Sequence, residues 1–141
     1  MVVDDSMFMR KVLKSMLTKL GHNIICEATE GREAVFKYKQ FRPDIVTMDI
    51  TMPGMDGLTA LKEIITIHPE ARIIICSAIH YQSLVIQGLR AGASDFIGKP
   101  IESVKLTEAI NHATGISFSN HNYCKKTDDH SYLIHSLTTK E

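Results

Sequence analysis

Short apolar runs alternate along the chain with longer stretches in which apolar residues recur every three or four positions. "MVV" at 1–3 reads as the end of a first strand. "SMFMRKVLKSMLTKLG" at 6–21 has Val12, Leu13, Met16, Leu17 and Leu20 at helical spacing, with Arg10, Lys11, Lys14 and Lys19 mostly on the other side. Ser6 is its expected N-cap and Gly21 its stop. "NIICEAT" predicts a second strand and "GREAVFKYKQF" a second helix, with Pro43 just beyond it. "DIVTMDI" predicts a third strand carrying Asp49 at its carboxyl end, and "LTALKEIITIH" a third helix closed by Pro69. "RIIICSA" has the unbroken apolar character of a strand buried on both faces. "YQSLVIQGLRAG" then predicts a fourth helix, "SDFIGKP" a fifth strand, and "ESVKLTEAINHA" a fifth helix with Leu106, Ala109, Ile110 and Ala113 turned inward.

Strands alternating with helices in this way call for an α/β fold, a parallel sheet covered on both faces. Right-handed crossovers leave few arrangements, and the doubly wound one fits best. Its ligands bind beyond the carboxyl ends of the strands, at the point where strand order reverses. The polar residues at those ends are Asp4 and Asp5 after the first strand, Asp49 at the third, Ser77 after the fourth and Lys99 after the fifth.

Composition narrows the function without choosing it. The 141 residues make one domain, and 16 basic residues balance 16 acidic ones. That balance gives no electrostatic case for nucleic acid or an anionic membrane surface. The apolar runs are too short to span a bilayer, and no signal-peptide pattern is seen at the start. Cys26, Cys76 and Cys124 are odd in number and widely spaced, which suits reduced thiols and a cytoplasmic protein better than a disulfide scaffold. Met7, Met9, Met48, Met52 and Met55 are expected to pack in the core and loops.

Three carboxylates gathered on one rim repel one another, so either some take up protons or a cation and Lys99 neutralise them. Mg²⁺ suits such a rim, being a small hard ion held by one or two carboxylates, a carbonyl and waters. A phosphoryl group on an Asp49 oxygen also suits it, because carboxylate nucleophiles form acyl phosphates. Its charge would be met by Mg²⁺, Lys99, the Ser77 hydroxyl and loop N–H groups.

"VVDDS" (2–6), "DIVTMDITMPGMDGL" (44–58), "IICSA" (74–78) and "AGASDFIGKP" (91–100) stand in an order and at intervals that are highly specific. On them the chain resembles the receiver domain of two-component response regulators, most closely the single-domain chemotaxis type. The resemblance covers about residues 1–115 and leaves 116–141 as a C-terminal tail, expected to be flexible. It implies a flavodoxin-like (βα)5 fold with strand order 2-1-3-4-5 and Asp49 as phosphoacceptor. It further implies Mg²⁺ held by Asp5 directly, Asp4 mostly through water, Asp49, and the backbone carbonyl of Thr51. Lys99 would pair with Asp49 and then with its phosphoryl oxygens, Ser77 would be the switch hydroxyl and Phe96 the aromatic switch. A cis peptide bond would join Lys99 to Pro100. The implied partners are a histidine kinase or histidine phosphotransfer domain upstream, and downstream a flagellar or chemotaxis protein meeting the surface of helix four, strand five and helix five. Gln87, Arg90, Glu102, Lys105 and Glu108 lie on that surface.

The first strand is short, since only Met1, Val2 and Val3 precede the acidic pair. A phosphorelay intermediate and a receiver excised from a longer regulator are the near alternatives. A Mg²⁺-dependent aspartyl phosphohydrolase is the remote one, because position 51, two after Asp49, holds Thr51 rather than a second Asp able to act as general acid. In the tail, His121, Cys124, His130 and His135 have a loosely metal-like spacing.

Overall fold

The computed structural model describes residues 1–78 and 82–116. The expected tail lies outside them from residue 117, as do His121, Cys124, His130 and His135.

Five strands and five helices alternate: β1 (Val2–Val3), α1 (Met7–Lys19), β2 (Glu27–Ala28), α2 (Gly31–Phe41), β3 (Val46–Asp49), α3 (Gly57–Ile67), β4 (Ile73–Ala78), α4 (Gln82–Ala91), β5 (Asp95–Lys99) and α5 (Ser103–Thr114). The strands form one parallel sheet in the order β2-β1-β3-β4-β5, as expected. The register sets Val3 beside Met48, Asp49 beside Cys76, and Ala78 beside Lys99, so all strands finish on one edge.

The period-two alternation of strand side chains divides the core in two. Along β4, Ile73 and Ile75 join Val3, Met48, Val35, Tyr38, Leu61, Ile64 and Val85 on the face covered by α2, α3 and α4. Ile74 and Cys76 join Val2, Leu13, Leu17, Ile97, Leu106 and Ile110 on the face covered by α1 and α5. A strand with both faces covered has no use for polar residues, which is why β4 reads as one apolar run. No helix among the described residues is long and apolar enough to cross a membrane.

Local signals set the helix starts. Ser6 caps α1 by accepting from the Met9 amide at 3.3 Å, and Asp56 caps α3 by accepting from the Thr59 amide at 2.7 Å. Glu30 does the same for α2 through the Glu33 amide at 3.1 Å. Gly21 follows α1 at φ +89.

Three expectations are corrected. "NIICEAT" contributes only Glu27–Ala28 to the sheet. This edge strand pairs with β1, itself two residues long and starting opposite Glu27; ahead of it the Cys26 carbonyl still accepts from the Val2 amide at 3.2 Å, while Ile25 is half exposed. Leu20 lies past the last turn of α1 and is exposed, leaving Leu13 and Leu17 as that helix's buried residues. Met7, expected to pack in the core or loops, is 63% exposed beside Phe8 at 72% on the first turn of α1.

Candidate functional site

The strand order brings the carboxyl ends of β1 and β3 side by side, and β5 delivers Lys99 across β4 to the same rim. Asp4, Asp5 and Asp49 each present a carboxylate oxygen within 4.8 Å of the others. Asp4 and Asp49 are buried and Asp5 is exposed, so the cluster has two members fixed in protein and one facing solvent.

Every polar atom of Asp4 is engaged. Its amide donates to the Ala28 carbonyl at 3.1 Å and its carbonyl accepts from Arg10 Nη1 at 2.8 Å. Its Oδ1 accepts from the Ser6 amide at 2.9 Å and its Oδ2 from Lys99 Nζ at 2.9 Å. Full pairing is what a nearly inaccessible carboxylate requires. Asp49 is held more loosely, with Oδ1 accepting from the Thr51 amide at 3.3 Å and Oδ2 lying 3.4 Å from Lys99 Nζ.

These surroundings set the charge states. Burial pushes the Asp49 carboxyl up to about 6, against the attraction of Lys99 and with help from the neighbouring Asp4 charge. Burial opposes the charge on Lys99 as well, but the hydrogen bond to Asp4 and the charges of Asp49 and Asp4 outweigh it and hold its pKa above the ordinary value. Cys76, in the strand between them, is pushed up to about 12, mainly by burial, and is a core thiol rather than a reactive one.

The remaining expected residues are placed as follows. Ser77 is buried at the end of β4 and its hydroxyl donates to the Ala78 carbonyl at a long 3.4 Å. Phe96 is partly buried and packs against the core on the α2–α4 side. The Lys99–Pro100 peptide is cis. Thr51 stands in the loop between β3 and α3, which the Gly57 amide closes by donating to the Ile50 carbonyl at 2.8 Å. A side chain on Gly57 would overlap the Asp49 carbonyl, and one on Gly31 would overlap that of Met55, so both glycines are needed for this loop to lie against its neighbours.

Two contributors escaped the sequence reading. Helical spacing puts Arg10 with the lysines on the outer side of α1, yet it folds back onto the Asp4 carbonyl; the spacing of six from Asp4 is no helical signal. The Ser6 amide, read only as part of a cap, also holds the Asp4 carboxylate.

Three close carboxylates against one ammonium leave an excess of negative charge, and their hard oxygens are the donor type that a divalent cation such as magnesium, calcium or manganese takes. The cluster therefore fits a metal ion.

Residues 1–111 match the family described as response regulator receiver domain. Chemotaxis protein CheY of Thermotoga maritima is 55% identical over 111 residues, covering 79% of this chain and 92% of that protein. CheY of Bacillus subtilis gives the same identity and coverage. Among solved structures, the CheX-CheY-BeF3-Mg+2 complex from Borrelia burgdorferi superposes with a TM-score of 0.76 at 44% identity, over 80% of this chain and 86% of that one. The chain belongs to the receiver domains of two-component response regulators, of the chemotaxis CheY type.

Proposed function

We propose that Asp49 accepts a phosphoryl group from a phosphohistidine of a kinase or phosphotransfer domain, and that the chain then acts on a chemotaxis or flagellar partner by contact. The observation that carries this reading is the state of Asp49: a buried carboxylate at a strand end, loosely bonded and within 3.4 Å of Lys99. An Asp49 oxygen attacks phosphorus, the phosphorus–nitrogen bond breaks, and the imidazole leaves. A nucleophile must be ionised, and a pKa of about 6 leaves Asp49 ionised at neutral pH; its contacts to the Thr51 amide and Lys99 are long, so they compete little.

Mg²⁺ would be held by Asp5, Asp49 and the Thr51 carbonyl. Asp4, both of whose oxygens are already bonded to protein donors, would reach it mostly through water. The ion supplies charge neutralisation to the phosphoryl oxygens. Lys99 is the protein's own counter-charge: once Asp49 carries the phosphoryl group as an acyl phosphate, its ammonium turns to the new oxygens without leaving Asp4. Ser77, whose hydroxyl makes one long bond among the described residues, can swing that hydroxyl toward the phosphoryl group. The space it vacates would admit Phe96, and the rearranged face would be α4, β5 and α5. Gln87, Arg90, Glu102, Lys105 and Glu108 are exposed there, with Val104 at 68% as an apolar centre. This is a shift between two populations biased by one covalent group.

The relative from Borrelia burgdorferi, in complex with CheX, BeF3 and Mg+2, supports both the ion and the phosphoryl-like ligand, and it gives CheX as one kind of partner. The test is intact-protein mass after incubation with Mg²⁺ and a small acyl phosphate. A single phosphoryl adduct, lost in Asp49→Asn and in chelator, is expected. Its absence from a folded protein that binds Mg²⁺ would overturn the reading.

A further inference from the structure

The acidic pair sits just after a strand of two residues, so little of the sheet holds it. Arg10 supplies a second anchor. Its side chain is only 14% exposed, Nη1 donates to the Asp4 carbonyl at 2.8 Å, and Nε lies 3.3 Å from Glu27 Oε1. Glu27 is itself tied to Lys14 at 3.0 Å, and its backbone carbonyl accepts from Lys37 of α2. One guanidinium thus joins the loop of the acidic pair, helix α1 and edge strand β2.

We infer that Arg10 is a positioning residue for the cation site, holding Asp4 and Asp5 in place through the Asp4 carbonyl while Glu27 braces the guanidinium. The inference rests on the metal reading above. The planar fork matters as well as the charge, because Nη1 and Nε are held in fixed directions toward two acceptors, an orientation that the rotating donors of an ammonium do not fix. Without Arg10 the Asp4 carbonyl, in a buried residue, loses its side-chain donor. The turn from Asp4 to Ser6 then loses one of its restraints, and Asp5, which is exposed and has no anchor of its own among the bonds described, loses its fixed position.

Charge alone predicts the opposite result. Removing a cation close to a cluster that binds a cation should tighten binding, whereas removing a support for the ligands should weaken it. Outer supports of metal ligands typically change affinity 10–100-fold.

The test compares wild type, Arg10→Ala, Arg10→Lys and Ile110→Ala in Mg²⁺ titrations by calorimetry. Ile110→Ala is a core truncation on α5 that serves as a stability control. Amide hydrogen exchange at Ser6 is followed by NMR in chelator. Both Arg10 variants should bind Mg²⁺ about tenfold more weakly than wild type and exchange the Ser6 amide faster, with Ile110→Ala near wild type on both readouts. Unchanged or tighter Mg²⁺ binding, recovery in Arg10→Lys, or an equal loss in Ile110→Ala would overturn the inference. If wild type itself failed to bind Mg²⁺, the metal reading would fall, and Ser6 exchange would still decide whether Arg10 holds the turn.

Discussion

The Lys99 ammonium lies 2.9 Å from the carboxylate of Asp4, a residue almost wholly removed from solvent, and only then reaches Asp49, at 3.4 Å. Its nearer commitment is to the carboxylate that does no proposed chemistry. Lys99 is therefore a structural counter-ion before it is anything else, and that has a measurable consequence. Removing one partner of a buried ion pair strands the other charge, typically at a cost of about 3–5 kcal/mol. Lys99→Met should lose roughly that much in urea denaturation with chelator present. Under the proposed metal assignment, millimolar Mg²⁺ should recover part of the loss by supplying a cation to the same rim.

The protonation of Asp49 gives a second prediction, with a definite sign. Its pKa is raised from 3.8 to about 6, so the folded protein holds this proton more tightly than the unfolded chain does. The resulting stability is fully present below about pH 4 and is lost as pH rises through about 6. In chelator, wild type should fall in stability across that window by an amount on the order of 2–3 kcal/mol. Asp49→Asn should be flatter there and more stable than wild type at pH 7.5. Urea midpoints at half-unit pH intervals would check both statements. A wild-type curve that climbs from pH 4 to 6.5 more than that of Asp49→Asn would contradict them.

The same equilibrium bears on metal binding. Under the proposed metal assignment, a proton on Asp49 competes with the cation for the same oxygens, so apparent Mg²⁺ affinity should weaken below about pH 6, by up to roughly tenfold per pH unit. Above pH 7 it should be nearly constant. Calorimetric titrations at pH 5, 6, 7 and 8 would show whether the bend falls at the carboxyl of Asp49.

Much of this arrangement could be read from residue order. Once the runs ending at Asp49, Ser77 and Lys99 are recognised as parallel strands, topology alone puts their ends on one rim, and Asp4–Asp5 follows because β1 lies between β2 and β3. The second strand was misjudged for a reason hydropathy cannot express. Asn23–Ile25 have the right residues for a strand, but the parallel register begins with Val2 opposite Glu27, so they lie ahead of the paired stretch. Arg10 was missed for a related reason. On a helical wheel it belongs with Lys11 and Lys14, and only the return of the chain at Asp4–Ser6 brings a carbonyl within its reach. Local pattern reports what a residue prefers, whereas partners at an edge or a turn depend on how far neighbouring elements extend.

Away from the rim, Tyr38 and His68 tie α2 to the end of α3. The Tyr38 hydroxyl lies 2.7 Å from His68 Nδ1, with the ring fully buried and the Arg42 guanidinium 5.5 Å above it. Tyr38→Phe keeps the ring and its packing but removes the hydroxyl. His68 is only half-buried and can find water instead, so the cost should be about 1 kcal/mol, the usual net worth of such a bond. Phosphorylation and Mg²⁺ binding should be unchanged. Tyr38→Ala should cost about 3–5 kcal/mol through the lost core volume, and urea denaturation of the two variants separates the bond from the ring.

Gly57 ties the fold most directly to the candidate site. It is the first residue of α3, its amide closes the loop onto Ile50, and a Cβ there would run into the Asp49 carbonyl oxygen, a backbone atom in a central strand. That oxygen cannot move without breaking β3, and the helix start cannot move without opening the loop that carries Thr51. Gly57→Ala should therefore destabilise by several kcal/mol, well above the few tenths to one expected of a surface change. At Gly115, past the end of α5, φ is +71 but no atom lies within 4 Å of the added Cβ. Gly115→Ala should cost only about 1 kcal/mol, from backbone strain alone. Any folded fraction of Gly57→Ala should also show weaker Mg²⁺ binding, since relief of the clash displaces Asp49 or Thr51. Equal urea midpoints for the two alanine variants would mean that the helix start yields to the side chain and that the close approach is not what fixes Asp49.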